Sequence, residues 1–281
     1  MIKAQSTGCS DIGKIRRANE DSYLLNESMG LYVVADGMGG HRGGGMASQM
    51  AIEAIDQYMS DPSLQQQYSD EKSGLQNRYA SCLIQSIRLA NKQIYDRSVS
   101  EEAFRGMGTT VSALYLTDNT MITANVGDSP IFLLRNQEIE QLYTPHTLLH
   151  ERKKIPKSME GRLSKAKLGH ILTRAVGIRS EVKVDLVETP CFKDDIIVLC
   201  SDGLSNKISK EEIRDLVCDN DIEDACKKMT DSANQRGGED NITVIIVRIV
   251  STEKGSAGTL FHRVFHIPQR IASLFRVQKR S

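Results

Sequence analysis

Apolar positions along the first hundred residues predict one buried strand followed by two helices. Residues 31–35 form a continuous apolar run of strand length, which ends at Asp36-Gly37. A glycine cluster follows, after which apolar residues recur at helical spacing over residues 46–59. A second helical pattern extends from about residue 75 to residue 95.

Residues 109–142 change to the pattern that is typical of strands. The expected strands are 111–116, 121–126, 131–134 and 139–142, and the turns between them predict a meander. Beyond the irregular segment 144–170, the pattern predicts strands at 182–187, 196–200 and 242–250 and helices at 210–218 and 222–236. Helices grouped away from a run of strands indicate an α+β fold rather than alternating βαβ units.

Composition places the chain among ordinary globular proteins, with 40% hydrophobic and 26% charged residues in 281. The 36 basic and 36 acidic residues cancel, so net charge gives no reason to expect nucleic-acid binding. The balance is uneven, because no acid follows Glu253. The tail beyond it carries Lys254, Arg263, Arg270, Arg276, Lys279 and Arg280.

Cysteine spacing favours a reduced, cytoplasmic protein. The six cysteines contain no C-x-x-C pair, which argues against a disulfide framework and a zinc site. The first residues contain no apolar stretch of signal-peptide length, and no run approaches the 18 or more residues of a membrane span.

Aspartates at the ends of predicted strands are the strongest chemical signal. Asp36 and Asp202 each end an apolar run and precede glycine, and Asp240 stands just before the last strand. A carboxylate there is expensive to desolvate without a compensating cation or hydrogen bonds, and gathered carboxylates suit Mg²⁺ or Mn²⁺. Asp-Gly is also an ordinary turn sequence. Spacing alone leaves both interpretations open.

Seven short motifs together resemble the PPM-type (type 2C) metal-dependent serine/threonine protein phosphatases, in the form found in bacterial members. Residues 13–22 read GKIRRANEDS, similar to the family's G-x-x-R-x-x-N-E-D, and residues 36–41 read DGMGGH, similar to D-G-x-G-G. The others follow in the family's order: GTT at 108–110, NVGDS at 125–129, LTRAVG at 172–177, CSDGL at 200–204 and DNITV at 240–244. The resemblance covers about residues 6–250.

The resemblance implies a four-layer α-β-β-α sandwich with a binuclear metal cleft at one end of its central sheets. Two Mn²⁺ or Mg²⁺ ions would hydrolyse phosphoserine and phosphothreonine in proteins through activated water, without a phosphoenzyme. Asp36 would bridge the ions with the Gly37 carbonyl, Asp202 and Asp240 would bind one of them, and Arg16 would grip the phosphate. By the same resemblance, Glu20 and Asp21 would bind through coordinated water, and Asp128 would hold a third, weaker ion.

Three departures from the family pattern bear on activity and shape. Met38 stands where some members have a histidine that protonates the leaving group. His41 or a metal-bound water is the candidate substitute, and His41 is otherwise a loop or cap residue. Pro130 replaces the arginine of G-D-S-R, and Pro145 replaces the acid before His146. A catalytically idle phosphoprotein-binding scaffold is therefore the alternative, but the intact acids favour the enzyme. A two-metal nuclease would need a basic groove that the sequence does not indicate.

Two basic segments are expected to lie outside the catalytic core. Within the flap, about residues 144–170, a basic stretch at 151–167 either selects acidic phosphoprotein surfaces or is a solvated loop. Residues 251–281 form a basic amphipathic tail beyond a phosphatase domain of residues 1–250, with Pro268 dividing it into two pieces. The tail docks on a partner or an anionic membrane, packs on the acidic body, or stays unstructured. Phosphoproteins, and a cognate Ser/Thr kinase, are the expected partners.

Overall fold

Strands with apolar residues on both faces form the middle of the structure, a computed structural model that describes residues 2–39, 43–67, 77–118, 120–151, 164 and 168–252. The strands are β1 (Lys3–Asp11), β2 (Asp21–Asn26), β3 (Leu31–Met38), β4 (Gly108–Thr109), β5 (Val111–Leu116), β6 (Thr120–Val126), β7 (Ile131–Arg135), β8 (Glu138–Gln141), β9 (Asp185–Pro190), β10 (Ile196–Cys200) and β11 (Ile242–Ser251). The helices are α1 (Gly43–Ser60), α2 (Pro62–Gln67), α3 (Arg78–Ser100), α4 (Asp202–Ser205), α5 (Lys210–Asp219) and α6 (Ile222–Gln235), with a 3₁₀ turn at Glu102–Phe104.

The strands form two antiparallel sheets. One sheet has the order β1-β11-β10-β7-β8, and the other has the order β2-β3-β5-β6-β9, with β4 paired to β3. Successive residues of a strand point to opposite faces, so β3 alternates between two apolar layers. Val33 and Ala35 pack with α1 and α3, whereas Tyr32 and Val34 pack between the sheets. A third layer joins the first sheet to α5 and α6.

This layering confirms the α+β sandwich with helices on both outer faces. The helices expected at 46–59, 210–218 and 222–236 are present as α1, α5 and α6. Ser209 caps α5 by accepting a hydrogen bond from the Glu212 amide, while the Glu212 carboxylate accepts from the Ser209 amide. Among the described residues, none of the helices has the length and apolarity of a membrane span.

The predicted meander over residues 109–142 is wrong. Strands β5 and β6 belong to one sheet and β7 and β8 to the other, so the chain crosses between sheets at Gly127-Asp128. An apolar strand that is buried on both faces gives the same pattern in either sheet, and the pattern therefore does not reveal the crossing.

Strands β1 and β2 escape prediction because they are edge strands rich in polar residues, with sequences KAQSTGCSD and DSYLLN. The strand expected at 182–187 lies instead at Asp185–Pro190. The helix expected from residue 75 begins at Arg78 and ends at Ser100, and residues 68–76 lie outside the described part. Most of the basic flap stretch, and the tail from residue 253, also lie outside it.

A buried ion pair within the sheet of β7 and β10 lies near the end of β9 that is far from Asp128. Arg135 Nε and Nη2 donate to the two carboxylate oxygens of Asp195, each at 2.8 Å. Nη2 also donates to the Pro190 carbonyl at 2.8 Å, so β7 holds the end of β9. Both side chains are almost fully buried. Loss of one partner would therefore leave the other charge buried without compensation.

We expect Asp195→Ala to lower the free energy of unfolding by about 3–5 kcal/mol, because Arg135 would lose its buried counter-charge. Urea denaturation measures the change. Asp96→Ala is the matched control, since Asp96 pairs with Lys92 on the exposed face of α3, and surface pairs contribute about 0–1 kcal/mol. Equal losses in the two variants would contradict the role given to the Arg135–Asp195 pair.

Candidate metal centre

Two carboxylates face each other across the pairing of β2 and β3. Asp21 lies directly opposite Asp36 in the antiparallel register. Because Tyr32 and Val34 of β3 point between the sheets, the alternation points Asp36 the same way. Thr243 Oγ1 of β11 donates to Asp21 Oδ2 at 2.7 Å. The pair is therefore contacted by both sheets.

The backbone at Asp36 is fixed by two threonines before β5. The Asp36 amide donates to Thr110 Oγ1 at 3.0 Å. Its carbonyl accepts from the Thr110 amide at 2.8 Å and from Thr109 Oγ1 at 2.9 Å. This end of β3 therefore has little freedom to move.

Gly37 occupies a position too crowded for a side chain. A Cβ there would lie 2.2 Å from the Gly44 carbonyl oxygen and 2.4 Å from that of Glu20. The Gly37 amide donates to the same Glu20 oxygen at 3.2 Å. The Glu20 carboxylate in turn lies against the start of α1, where a Cβ on Gly44 would be 2.9 Å from Oε1. Glycine here permits the close approach that brings Glu20 beside Asp36.

Asp202 and Asp240 reach the cleft from the other sheet. Asp202 begins α4 after β10, and Asp240 precedes β11, which pairs with β10. A Cβ on Gly203 would lie 2.0 Å from the Asn241 carbonyl oxygen and 3.3 Å from Asp240 Cβ. The two turns that carry these aspartates are therefore in backbone contact.

Asn241 fastens the loop of residues 12–20 to the start of β11. Its Nδ2 donates to the carbonyls of Ile12 and Ala18 at 2.9 and 3.0 Å. Its Oδ1 accepts from the Glu20 amide at 2.8 Å. Since this loop carries Arg16, Asn241 positions both an acid and a cation of the cleft.

A second network supports the turn that carries Asp128. The Gly127 amide donates to His146 Nδ1 at 3.0 Å, so Nε2 is the protonated nitrogen that donates to Asp185 Oδ2 at 2.9 Å. Arg174 Nη1 donates to Asp185 Oδ1 at 2.7 Å. Burial raises the pKa of Asp185, but the hydrogen bonds from His146 and Arg174 outweigh it and hold the pKa below its ordinary value.

Asp36 has the most unfavourable electrostatic environment of the cluster. Burial, followed by the charges of the other four aspartates, raises its pKa well above the ordinary range. Burial raises the pKa of Asp21 to about 6, and burial with the charge of Asp202 raises that of Asp128 to about 7. Burial and Asp240 raise the pKa of Asp202. The cleft therefore favours a cation.

The donor set fits a hard divalent cation that keeps part of its water. Every strong ligand in the cluster is oxygen, which Mg²⁺ and Mn²⁺ prefer over the nitrogen and sulfur of zinc sites. Within the described residues, no three acidic, histidine or cysteine side chains lie close enough together to hold an ion between them. Mg²⁺ is typically bound through one or two carboxylates and several waters, so the arrangement agrees with such an ion.

Arg16 lies at the rim of the cluster on a half-exposed side chain. Its Nη2 donates to Asp240 Oδ2 at 2.8 Å, and about half of the arginine side chain remains exposed. Exposed pairs of this kind contribute little to stability, so Arg16 can exchange Asp240 for an incoming anion at small cost.

The structure brings together most of the residues that the resemblance singled out. Those in or beside the cleft are Arg16, Glu20, Asp21, Asp36, Gly37, Asp128, Asp202 and Asp240. His41 lies outside the described residues. Met38, at the end of β3, is described and offers no titratable group.

Sequence reasoning missed the residues that position the acids. Asn241 and Thr243 stand within the Asp240 motif, and their polarity before a buried strand was an available signal. His146 and Asp185 are 39 residues apart, and only the fold brings them together.

Comparisons with known proteins give one consistent answer. The sequence model of the protein phosphatase 2C family matches residues 16–245. The serine/threonine phosphatase stp of Listeria monocytogenes is 33% identical over 250 residues, which cover 88% of this chain and 96% of that protein. The protein phosphatase PhpP of Streptococcus pneumoniae is 35% identical over 246 residues, covering 85% and 94%.

Solved structures agree with the sequence comparisons. The Mycobacterium tuberculosis serine/threonine phosphatase PstP/Ppp matches with a TM-score of 0.74 at 27% identity, covering 88% of this chain and 99% of that one. The catalytic domain of PstP in complex with two manganese ions matches with a TM-score of 0.73 at 29% identity, covering 89% and 100%.

A two-sheet sandwich with an acidic cleft at its strand ends is consistent with a metal-dependent phosphatase. The matches above specify which kind. The chain belongs to the protein phosphatase 2C family.

We expect the metal-free protein to lose stability as pH rises from about 4 to 7. The folded-state pKa values of about 6 for Asp21 and 7 for Asp128 exceed the unfolded value of about 3.9. Over this interval the folded state keeps protons that the unfolded state releases, so rising pH favours unfolding. Saturating Mn²⁺ should weaken or reverse the trend, since the ion favours ionised carboxylates. Urea denaturation in EDTA and in Mn²⁺ measures both.

Two asparagine variants sharpen this test. Asp21→Asn should reduce the pH dependence in EDTA, because one raised pKa is removed while Thr243 keeps an acceptor. Asp231→Asn is the control, because Asp231 lies on the exposed surface of α6, and this variant should leave the pH dependence of stability unchanged. A metal-free protein whose stability rises between pH 5 and 7 would contradict the electrostatic description.

Proposed function

We propose that this chain hydrolyses phosphoserine and phosphothreonine in proteins with two Mn²⁺ or Mg²⁺ ions, and without a phosphoenzyme. The observation that carries the proposal is the neighbourhood of five aspartates from both sheets at one cleft, with Arg16 at the rim. When bound, two divalent cations would lower the pKa of a water and stabilise charge on the phosphoryl group.

The ligand roles are those that the family resemblance implies, and the grouping of the aspartates supports them. Asp36 and the Gly37 carbonyl would be shared by the two ions, because the charges of all four other aspartates act on the Asp36 carboxylate. Asp202 and Asp240, on touching turns, would bind one ion together. Asp21 and Glu20 would act through coordinated water. Asp128 would hold a third, weaker ion.

Arg16 would bind the substrate phosphate. A guanidinium presents two parallel donors that match two phosphate oxygens, and its partner Asp240 is one that an ion would also engage. The proton for the departing alkoxide would come from His41, since Met38 has none to give. The position of His41 three residues beyond Met38 supports this role.

The surroundings of the enzyme are inferred from chemistry. Phosphoserine and phosphothreonine are products of kinases, so we infer that a Ser/Thr kinase supplies its substrates. The six cysteines all lie in the described part, and none of them forms a disulfide. Persistent free thiols are typical of a reducing compartment, which supports a cytoplasmic location.

We expect Mn²⁺-dependent phosphate release from a phosphothreonine peptide, abolished by EDTA and lowered at least 100-fold by Asp202→Asn. Arg16→Ala should lower kcat/KM by about 10–100-fold, the effect of losing a charge-assisted hydrogen-bonding group. Arg17→Ala is the matched control, because Arg17 is an exposed arginine next in the chain. Phosphate release and peptide binding are measured for each variant.

Two results would contradict the proposal. Binding of the peptide through Arg16 without turnover in Mn²⁺ or Mg²⁺ would favour the idle scaffold. Equal effects of Arg16→Ala and Arg17→Ala would remove the phosphate-binding role.

The basic tail is proposed to attract the enzyme to anionic membrane surfaces. Six basic residues and no acid follow Glu253, interleaved with apolar side chains such as Phe261, Phe265 and Phe275. That composition suits an anionic interface. We expect the full chain to pellet with anionic vesicles and a chain lacking residues 254–281 to stay in solution, with neutral vesicles as the control. Equal pelleting of the two chains would contradict the tail's role.

A further inference from the structure

A groove of about 500 Å³ opens directly from the metal centre. Asp128 and Asp202 are part of its lining, as are Ser209 and Lys210 at the start of α5. Its volume lies within the roughly 300–1,000 Å³ of ordinary ligand sites. The groove is therefore large enough to receive part of a substrate beyond the phosphate.

Five apolar side chains contribute to a groove lining whose other side chains are polar or charged. They are Pro130, Phe132, Pro145, Leu149 and Ile208. Pro130 and Pro145 are the two positions where this chain replaces a charged residue of the family pattern with proline. Both departures therefore remove charge from the same groove, on opposite sides of β7 and β8 along the chain.

We propose that this groove binds the polypeptide beside the phosphorylated residue and selects substrates with a large apolar side chain there. The inference rests on the proposed phosphatase function and adds a substrate class to it. The occupant is the phosphoprotein itself, because the groove and the candidate metal ligands share Asp128 and Asp202.

The order of groups across the cleft supports this occupant. Arg16 contacts Asp240, the turn of Asp240 touches that of Asp202, and Asp202 enters the groove. A phosphate held at Arg16 and the aspartates thus leaves the attached chain next to the groove. A difference of one methylene in a hydrophobic pocket changes selectivity by roughly 10–200-fold, so a leucine side chain seated there is expected to give at least about tenfold.

Charge in the groove argues against a basic neighbour as the preferred residue. Beyond its two aspartates, the described lining contains no acid, and it also contains His150, His170 and Lys210. A lysine or arginine in the substrate would thus meet no counter-charge once cations engage the aspartates. An apolar side chain needs no counter-charge there, and the groove removes its surface from water, which is favourable.

Phosphothreonine peptides with glycine flanks, and with leucine at each flanking position in turn, test the proposal on the full chain with Mn²⁺. We expect kcat/KM to rise about tenfold or more for leucine at one or more positions on one side of the phosphothreonine. Lysine at the same position should give no gain. A leucine-to-glycine ratio of kcat/KM near one at every flanking position would overturn the proposal.

Variants connect that selectivity to the groove. Leu149→Lys should abolish the leucine-to-glycine ratio, and Leu149→Met should retain it. Val99→Lys is the matched control, because Val99 is an exposed apolar residue on α3. Each ratio compares two peptides on one enzyme preparation, so partial misfolding cancels. A ratio unaffected by Leu149→Lys would overturn the proposal.

Two further measurements distinguish failure of the phosphatase function from failure of the groove proposal. Hydrolysis of p-nitrophenyl phosphate tests the phosphatase function independently, and peptide binding by fluorescence anisotropy measures the leucine preference without turnover. Selectivity that emerges only when residues 254–281 are deleted would identify the tail as the occupant and would overturn the proposal.

Discussion

Mutual repulsion among five aspartates at one end of two sheets is the constraint on which the site depends. Asp36 lies at its centre, where burial and the four neighbouring charges oppose ionisation. Such a cluster is unfavourable without a compensating cation, and the proposed divalent ions would be bound by these carboxylates.

The rest of the fold keeps those carboxylates from moving apart. Asp21 and Asp36 belong to one sheet, and Asp202 and Asp240 precede or follow strands of the other. Thr243 spans the sheets by donating to Asp21, and Asn241 holds the Arg16 loop to β11. At the opposite end, Asp195 holds Arg135 of β7, and Arg135 donates to the Pro190 carbonyl of β9 in the other sheet. Hydrogen bonds therefore connect the two sheets at both ends.

The strand-end acids and the α+β class could be predicted from the sequence, because apolar runs that stop at aspartate signal both burial and chemistry. The path of the chain could not. The local pattern predicts a hairpin turn at Gly127-Asp128, yet this turn carries the chain from one sheet to the other. That crossing places Asp128 in the cleft. The support from His146 and Asp185 depends on contacts between distant residues, which local patterns do not encode.

Counting bound Mn²⁺ by equilibrium dialysis tests the central claim most directly. Wild-type protein at neutral pH should bind two ions tightly. Asp36→Asn should lose both together, because Asp36 is assigned to the two ions at once. A variant that keeps both ions, or a wild-type chain that binds none, would contradict the account of the aspartate cluster as a cation site.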